Sequence, residues 1–474
     1  MVPLREQFEG SKEVLELATR LGRVCLSRAR ELTRLDAMPD VRPFAKQLEG
    51  VVAGIDQRRW LDRDRDDFAD LLEVDGLGDL IEFAEAHSPI EYLAVLRGLL
   101  PVLRRFYDEV ESEVPVGSGT PIPVATRRVN DLFSTTTKLE TLRLNDLLQP
   151  LDEDGDRYRS GLYLADFGLD DRIAVVLDFT HRDRLDELAW TREKRLPRIA
   201  TVHPALGKRG IVIDEKTEST FFGVRPRRWD CAAVIRQLRE IGDGVEIAVL
   251  PELSLPQADA LEGALAADPG SFPSLVVAGS AHVTERAGAN GVVRANESHI
   301  YLDGRQIGAH RKVHAFILKA LDGVPLSRPL REGITSEPKR LTVLAGDHTR
   351  LAVAICADIL DSRLPKLLEE AGVNLLLVPA LTVDPGSFNG SVCGIASQAQ
   401  GVTVVVNGDS AALIEDGELP FMAMVGVPRP RAGEQSREYD RPAGSSAPYT
   451  GVFDPNLPLG SEKAFEWRPQ GAPQ

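Results

Sequence analysis

The sequence predicts an α/β fold in which a mainly α-helical N-terminal domain precedes a layered domain of strands and helices. Two patterns of apolar residues support this prediction. Before about residue 150 the apolar residues recur at helical spacing, as in residues 11–35, where Ser11 can cap the helix. From about residue 196 short apolar runs alternate with helical stretches, which indicates strands that are joined through helices.

The same patterns divide the chain into four segments. Residues 1–150 are predicted to form the helical N-terminal domain, and residues 151–195 to hold two short strands and a connecting helix or linker. Residues 196–427 form the α/β domain. Residues 428–474 are rich in proline, glycine and charge, so we expect them to be an extended or mobile C-terminal tail.

The composition of the 474-residue chain argues against several classes of protein. Its formal net charge of −16 disfavours nucleic acid or an anionic membrane as the main partner. The apolar runs stay well short of the roughly 20 residues that span a bilayer. The charged start of the chain lacks the apolar core of a signal peptide. We therefore expect a cytoplasmic protein.

The cysteines and the known short motifs indicate neither a cofactor nor a metal. The four cysteines lie far apart, so the sequence suggests no disulfide framework and no structural zinc site. No P-loop, HExxH or GxSxG motif is present. Cys25 and Cys231 lie on apolar helical faces and Cys393 enters a helix, and we expect all three to be structural.

The strands of the α/β domain are predicted from short apolar runs. The first is "RIATVHP" at 198–204, and a helix over 227–241 follows it. A hairpin is predicted over 297–313 because Asp303-Gly304 is a favoured pair for a tight turn between strands. The other predicted strands are "VEIAVLPE" (245–252), "SLVVAGSAHV" (274–283), "RLAVAICAD" (350–358), "VNLLLVPA" (373–380) and "VTVVVNG" (402–408).

Three reactive side chains stand next to these predicted strands. Glu252 ends the run "IAVLPE", Lys312 follows the hairpin, and Cys356 ends the run "LAVAIC". Because open α/β sheets place their chemistry at strand ends, the three groups can converge at one rim of a sheet. Each residue alone is more often structural, as a capping acid, a solvated lysine or a core cysteine. Their order and local context together favour a site.

A carboxylate, an ammonium and a thiol form a set for nucleophilic catalysis. A thiol needs a neighbouring base to become a thiolate, and Glu252 can take that proton and later give it to a leaving amine. Lys312 can stabilise an oxyanion together with the backbone N–H of Ala357. The neighbouring pair His310 and Arg311 is expected to be solvated.

The motifs around these residues resemble those of the nitrilase superfamily, the carbon–nitrogen hydrolases. The series "VLPE", "HRKVHAF", "AICAD" and "LLLVPA" follows the order of that superfamily's motifs, and the resemblance spans roughly residues 196–427. It implies an α/β fold, a four-layer α-β-β-α sandwich, preceded here by the mainly α-helical N-terminal domain. It also implies a catalytic triad of Glu252, Lys312 and Cys356.

The chain departs from this resemblance at two places. Ala357 and Asp358 follow the cysteine, which is closer to the amide-cleaving pattern although the usual aromatic residue is missing. We expect Ala357 and Asp358 to contribute to the oxyanion or substrate-binding site. Many members carry a second glutamate between the lysine and the cysteine. The only candidates for it are Asp322 and Glu332, and both match weakly.

The resemblance implies an amidase-type hydrolase with a cysteine nucleophile. It would cleave a non-peptide amide of a small molecule through a thioester, without cofactor or metal, and assemble as a homo-oligomer. Two alternatives stay open. The same three residues could transfer the acyl group to an amine instead of water. The fold could also serve as a non-catalytic or regulatory assembly module whose helical N-terminal domain binds a protein partner, in signalling or defence.

Overall fold

The structure, a computed structural model, describes residues 173–189 and most of residues 196–469. The described part of 196–469 excludes 205–210, 228–229, 243, 255–257, 288–290, 322–323, 336–338, 347–348, 372, 399–400, 409–420, 429–434 and 441–447. Before residue 166 it contains the pieces 4–9, 78–79, 81–82, 92, 95, 113–116, 122–126 and 161–165. The helices predicted before residue 112 therefore fall almost entirely outside the described residues.

The chain divides into two compact units. The second unit comprises residues 128–134, 171–369 and 373–474, and the first comprises the remainder. The described elements of the first unit are helix α1 (Leu4–Glu9) and strands β1 (Glu113–Val116), β2 (Ile122–Thr126) and β3 (Gly161–Ala165). Strands β2 and β3 pair antiparallel. Strand β3 confirms a strand predicted within the 151–195 segment.

The second unit contains the α/β domain. Its described strands are β4 (Ala174–Asp178), β5 (Ile199–His203), β6 (Ile211–Lys216), β7 (Thr220–Pro226), β8 (Ile247–Val249), β9 (Leu275–Val277), β10 (Ala281–Ala287), β11 (Gly291–Leu302), β12 (Arg305–Arg311), β13 (Ile317–Leu321), β14 (Val324–Glu332), β15 (Arg340–Ala345), β16 (Arg350–Val353), β17 (Leu375–Ala380), β18 (Val402–Asn407), β19 (Phe421–Gly426), β20 (Ser436–Asp440), β21 (Tyr449–Phe453) and β22 (Phe465–Pro469). Its described helices are α2 (Arg182–Ala189), α3 (Cys231–Arg239), α4 (Ala258–Ala267), α5 (Leu364–Glu370) and α6 (Pro385–Gln398). In the part of the chain that is described, we find no helix with the length and hydropathy needed to cross a bilayer.

Two mixed sheets pack face to face in this unit. The first has the strand order β4-β15-β16-β17-β18-β19-β20, and the second has the order β10-β11-β9-β8-β5-β21-β22, with β12 paired to β11. Apolar side chains from both sheets form one continuous core, which buries them from water. These central residues include Ile199, Ile247, Val277 and Ile300 from the second sheet and Val353, Leu377, Val404 and Val425 from the first.

Helices cover the outer faces of both sheets. Val234 and Leu238 of α3, with Leu261 and Leu265 of α4, share a second core with the outward side chains of β5, β8 and β9. On the first sheet, the Phe388 ring of α6 lies 6.3 Å from the Phe421 ring of β19. The described second unit is therefore layered as helix, sheet, sheet and helix, which agrees with the predicted four-layer α-β-β-α order.

The C-terminal segment is built into these sheets, which corrects the extended or mobile tail predicted for residues 428–474. Strand β21 pairs antiparallel with β5, so the tail supplies an inner strand of the second sheet, and β22 follows it. In addition, β4, which lies in one of the two short strands predicted within residues 151–195, pairs parallel with β15 and so joins the first sheet. Local composition misses both pairings because the partner strands lie far away in the sequence.

Glycines and turns explain two further details of the strand pattern. The predicted hairpin is confirmed, since Asp303 (φ 47°) and Gly304 (φ 78°) both have the positive φ of a tight type I′ turn. The run "SLVVAGSAHV", predicted as one strand, forms the two strands β9 and β10 with Gly279 between them at φ 69°. A four-stranded sheet of order β13-β14-β7-β6 was not predicted.

We predict that Gly451→Ala destabilises the fold, because a Cβ at this position of β21 would collide with the Phe465 ring and with Thr201. Overpacking of this kind lowers the free energy of unfolding by about 1–3 kcal/mol. Gly460→Ala is the matched control, because a Cβ there meets nothing within 4 Å. Urea denaturation should show a lower midpoint for Gly451→Ala alone. Equal midpoints for both variants would contradict the position of β21 within the sheet.

Candidate active site

Glu252 lies on a sharp turn after β8, at the edge where the two sheets meet. Its backbone N–H donates to the Ala380 carbonyl oxygen at the end of β17 (3.3 Å), which joins this turn to the first sheet. The next residue, Leu253, has a positive φ of 57°, a strained conformation for a side-chain-bearing residue. Gly279 makes the turn possible, since a Cβ there would collide with the Pro251 carbonyl oxygen.

Lys312 is fully buried between two carboxylates. Its Nζ lies 2.6 Å from Glu252 Oε1 and 2.8 Å from Glu332 Oε2. Its position is fixed by a hydrogen bond from its backbone N–H to the Asn296 carbonyl oxygen (2.8 Å), which extends the β11–β12 hairpin by one residue. Burial alone would lower the pKa of Lys312, but the two carboxylates outweigh it and raise that pKa well above its usual value.

Glu332, a weak candidate in the sequence, accepts four hydrogen bonds from protein donors. Its Oε2 accepts from Lys312 Nζ and from the Phe316 N–H, both at 2.8 Å. Its Oε1 accepts from Asn296 Nδ2 (2.9 Å) and His282 Nε2 (2.8 Å). Burial would raise the pKa of Glu332, but Lys312 and His282 more than offset this and hold it well below its usual range. The charged form of Glu332 is therefore favoured, and it holds Lys312 in place.

Asn296 and His282 are site residues that the sequence analysis missed. Asn296 Nδ2 donates to both Glu252 Oε1 and Glu332 Oε1, each at 2.9 Å, so one amide positions both carboxylates. Along β11, Asn296 lies four residues before Ile300 and six residues before Leu302. Because side chains alternate along a strand, Asn296 is on the same face as these two residues, which forms the inter-sheet core. A polar residue in that apolar register is a signal that could have identified it.

His282 connects Glu332 to the four-stranded sheet. The backbone N–H of Val224 in β7 donates to His282 Nδ1 (2.9 Å), so Nε2 carries the hydrogen that is donated to Glu332. The imidazole also stacks on the Phe222 ring at 4.5 Å. Its side chain is 1% exposed. A single histidine within the run "SAHVTERA" gives no sequence pattern, so only the three-dimensional pairing reveals it.

Cys356 follows β16 and opens a short 3₁₀ helix over Cys356–Leu360. Its φ is 47°, which is a strained conformation for a non-glycine residue and which turns the chain sharply at the thiol. The buried Sγ lies 3.9 Å from the Leu381 carbonyl oxygen. Burial raises the pKa of the Cys356 thiol well above its usual value, and the Glu252 carboxylate, which interacts with the thiol, raises it further while Lys312 opposes both.

Asp358 holds the backbone around the cysteine instead of facing the cavity. Its Oδ1 accepts from the N–H groups of Val313 (2.9 Å) and His314 (2.8 Å), and its Oδ2 accepts from the Ile355 N–H (3.0 Å) and His310 Nε2 (3.2 Å). With these acceptor positions used, a positioning role fits Asp358 better than the expected substrate-binding role. His310 is buried, which corrects its expected solvation.

The remaining predicted residues have the following positions. Ala357 lies directly after the thiol in the first turn of the 3₁₀ helix, and its role in holding an oxyanion stays a prediction. Asp322 lies outside the described residues. Outside this predicted set, Asn407 at the end of β18 holds the turn after β17, since its side chain bonds both the N–H and the carbonyl oxygen of Thr382. Within the described residues, no three His, Cys, Asp or Glu side chains are grouped to hold a metal ion.

One cavity joins the three charged residues Glu252, Lys312 and Glu332. Its volume is about 20 Å³, roughly the space for one water molecule. Leu381, whose carbonyl oxygen contacts the thiol of Cys356, belongs to its wall. The other described residues of the wall are all apolar: Ile211, Ile213, Phe221, Val224, Leu253, Phe316 and Leu318. A concave apolar space with a few converging charged groups is typical of a small-molecule site.

Comparison with solved structures finds three proteins whose folds are similar to part of this chain. One is Nit3 of Saccharomyces cerevisiae, a member of branch 10 of that superfamily (18% identity, 52% of this chain and 90% of that chain covered, TM-score 0.33). Another is a nitrilase-superfamily amidase from Nesterenkonia AN1 (17% identity, 56% and 91% covered, TM-score 0.33). A third is the glutamine-dependent NAD+ synthetase of Acinetobacter baumannii (16% identity, 58% and 48% covered, TM-score 0.34).

Neither a protein-family model nor a curated protein sequence matches the chain. The first two of these structures are described as members of the superfamily whose motifs the sequence resembles.

We predict that Asp358→Asn loses stability in a pH-dependent way. Burial alone would raise the pKa of Asp358, but bonds from His310, His314 and the Ile355 N–H lower it to about 2. Because the folded-state pKa lies below the unfolded-state pKa of about 4, the ionised Asp358 side chain stabilises the fold at pH values above about 4. This stabilisation is lost as the pH falls toward 2. The variant should therefore be about 2 kcal/mol less stable than the parent at pH 7.

Urea denaturation between pH 3 and pH 7 measures this difference, which should shrink below pH 4. Asp440→Asn, at an exposed position at the end of β20, is the control and should change stability by less than about 0.5 kcal/mol. If the difference for Asp358→Asn stays constant down to pH 3, the charge of Asp358 is not the cause.

Proposed function

We propose that the chain is a nitrilase-type carbon–nitrogen hydrolase that cleaves a non-peptide amide by means of Cys356, Glu252 and Lys312. The observation that carries this proposal is the buried cluster itself. The Lys312 ammonium lies 2.6 Å from the Glu252 carboxylate, and both groups act electrostatically on the Cys356 thiol. These residues lie 60 and 44 positions apart in sequence, so only the fold brings them together.

The charge balance of the cluster supports a base role for Glu252. Two carboxylates and one ammonium leave a net charge of about −1 next to a neutral thiol. Burial raises the pKa of Glu252, and Glu332 adds to that rise while Lys312 opposes it. Glu252 therefore has a higher affinity for a proton than an ordinary carboxylate. Transfer of the thiol proton from Cys356 to Glu252 leaves the net charge of the buried cluster unchanged, so it needs no outside counter-ion.

The proposed reaction is acyl transfer in two halves. Sulfur attacks the amide carbon while Glu252 takes the thiol proton, and the negative charge that develops on the amide oxygen is stabilised by Lys312 and the N–H of Ala357. The C–N bond breaks when Glu252 gives its proton to the leaving nitrogen, which leaves a thioester on Cys356. Glu252 then removes a proton from a water molecule that attacks the thioester, and the carboxylic acid and free thiol result.

The non-catalytic alternative has less support from the site. Burial of an ion costs several kcal/mol, which a structural module would avoid with apolar residues of similar size. Strained backbone at both Leu253 and Cys356 is a further cost, and such strain concentrates at functional sites. Acyl transfer to an amine uses the same groups and remains open. Added amines would divert the product from acid to substituted amide in that case.

We predict that Cys356→Ala abolishes ammonia release from amide substrates, with a loss of at least about 10³-fold, while urea denaturation shows that the fold persists. Cys393→Ala is the control and should keep its activity. In the parent chain, Glu252 accepts the thiol proton as the sulfur attacks, so iodoacetamide should label Cys356 faster than the other cysteines although the pKa of this thiol is raised, and Glu252→Gln should slow only the labelling of Cys356. Equal, slow labelling of all four cysteines would favour the assembly module.

We predict that His282 positions Glu332 during turnover. His282→Ala removes the bond to Glu332 and should lower kcat by about 10²-fold with little change in KM, because Lys312 then loses its fixed geometry. His282→Gln should restore part of kcat, since its amide can both donate and accept. His299→Ala, a half-buried histidine bonded to Glu297, is the control. A purely structural role would lower stability without this difference between the Ala and Gln variants.

A further inference from the structure

We infer that one buried water molecule is bound between Asn296, Ser298 and His310, and that it links the residues holding the two carboxylates to those holding the Cys356 turn. The inference rests on three polar atoms. Asn296 Oδ1, Ser298 Oγ and His310 Nδ1 are buried and have no hydrogen-bond partner within the part of the chain that the structure describes. Buried polar atoms in proteins nearly always bond to protein groups or to ordered water, because an unpaired one is costly.

The three side chains are neighbours on one face of the hairpin β11–β12. Ser298 pairs with His310 across the two strands, and residues opposite each other in an antiparallel pair point to the same face. Asn296 lies two residues before Ser298, so it shares that face. Ile300 on the same face belongs to the inter-sheet core, and His310 bonds to Asp358 after β16 of the first sheet. The three polar atoms therefore face the space between the two sheets, away from bulk water.

The hydrogen-bonding capacity of the three atoms matches one water molecule. Asn296 Nδ2 donates to both carboxylates of the charged cluster, which fixes the amide orientation and leaves Oδ1 as an acceptor. The ionised Asp358 carboxylate can only accept, so His310 Nε2 carries a hydrogen and Nδ1 of the neutral ring is a second acceptor. The Ser298 hydroxyl supplies one donor. A water molecule donates to the two acceptors and accepts from the hydroxyl, which satisfies all three.

Direct bonds among the three side chains cannot replace this water. The single hydroxyl hydrogen of Ser298 can bond either Asn296 Oδ1 or His310 Nδ1, and the other acceptor would stay unpaired. Serine is also the shortest of the three side chains, so it leaves room between the two longer ones. A bound cation is disfavoured, because the Lys312 ammonium stands on the neighbouring residue of the hairpin, whose N–H bonds the Asn296 carbonyl oxygen. Three protein partners are typical of a buried water molecule.

The water joins two halves of the hydrogen-bond network around the site. On one side, Asn296 holds both carboxylates of the cluster. On the other side, His310 bonds to Asp358, which also accepts from the Ile355 N–H directly before Cys356. The bridge between Asn296 and His310 therefore helps to position the proposed base relative to the thiol.

A crystal structure of the full-length chain, at a resolution that shows ordered water, tests the site directly. We expect a density peak at about 3 Å from Asn296 Oδ1, Ser298 Oγ and His310 Nδ1. A structure in which these atoms bond to one another, or in which no peak lies between them, would overturn the inference.

In solution, the ¹⁵N NMR signal of His310 Nδ1 reports the same bond, because a hydrogen bond moves the signal of an accepting imidazole nitrogen to lower frequency. Ser298→Val fills the space of the water and should move this signal to higher frequency. Ser298→Ala keeps that space, so the water still bonds Asn296 and His310 and the signal should stay in place. A direct bond from the serine hydroxyl would be lost in both variants. Movement in both variants, or none in Ser298→Val, therefore contradicts the inference.

Thr201→Val is the matched control for the loss of a buried hydroxyl. Thr201 is fully buried in β5 of the second sheet, but its hydroxyl already bonds His203 and the Gly451 carbonyl oxygen. This variant should leave the His310 signal in place. His310→Gln identifies that signal by its disappearance from the spectrum of the ¹⁵N-histidine-labelled chain.

The link between the two halves of the network also predicts an effect on turnover, and this part rests on the proposed function. Ser298→Val should lower kcat for amide cleavage about 10-fold with little change in KM, because the base and the thiol lose a shared support. Thr201→Val should keep the kcat of the parent. If the parent cleaves no amide, the proposed function fails and the NMR result still decides whether the water is bound. An unchanged kcat in Ser298→Val, with the His310 signal moved, would overturn the positioning role of the water.

Discussion

The buried ammonium of Lys312, held between two carboxylates, is the interaction on which the rest of the domain depends. Each of these ions would cost several kcal/mol if it were buried alone. The cluster is stable only because Lys312 Nζ lies within 2.8 Å of both Glu252 and Glu332 and because Asn296 bonds both acids. Any rearrangement that separated them would leave an unpaired charge inside the protein.

This requirement explains why distant parts of the chain are joined so closely around the site. The hairpin β11–β12 supplies Asn296 and ends at Lys312, and β14 of the four-stranded sheet ends at Glu332. Asp358 then binds the backbone after Lys312 to the turn that carries Cys356. The thiol, the ammonium and the second glutamate are thus positioned by one network of hydrogen bonds, so a change at one residue is expected to move the others.

The sequence alone was sufficient for the parts of the fold that depend on local pattern. Continuous apolar runs predicted the strands that hold Glu252 and Cys356, and Asp303-Gly304 predicted the hairpin turn. Non-local pairing is not predictable in this way: the composition of residues 428–474 predicts a tail, whereas β21 within them pairs with β5, roughly 250 residues earlier. The four-stranded sheet was missed for the same reason, since β7 pairs parallel with the distant β14.

The residues of the site also fall into two groups, those that a local sequence pattern identifies and those that it does not. Glu252, Lys312 and Cys356 could be proposed because each stands next to a recognisable strand or hairpin. Glu332 matched only weakly, since the hairpin β13–β14 separates it from Lys312 by 20 residues, and His282 had no pattern around it. The polar partners of a buried charge are the residues that lie close to it in the folded protein, and these can be far away in sequence. Only the folded structure therefore identifies them.

The apolar wall and the charged cluster also depend on each other physically. An apolar cover lowers the local dielectric constant and excludes water, which strengthens the attraction between Lys312 and its two carboxylates. The same cover raises the pKa of Glu252 and of the Cys356 thiol, because both would otherwise be ionised more easily in water. A charged or water-filled wall would weaken the cluster that holds the reacting groups. The burial that strengthens the ion cluster is therefore also what prepares Glu252 to accept a proton.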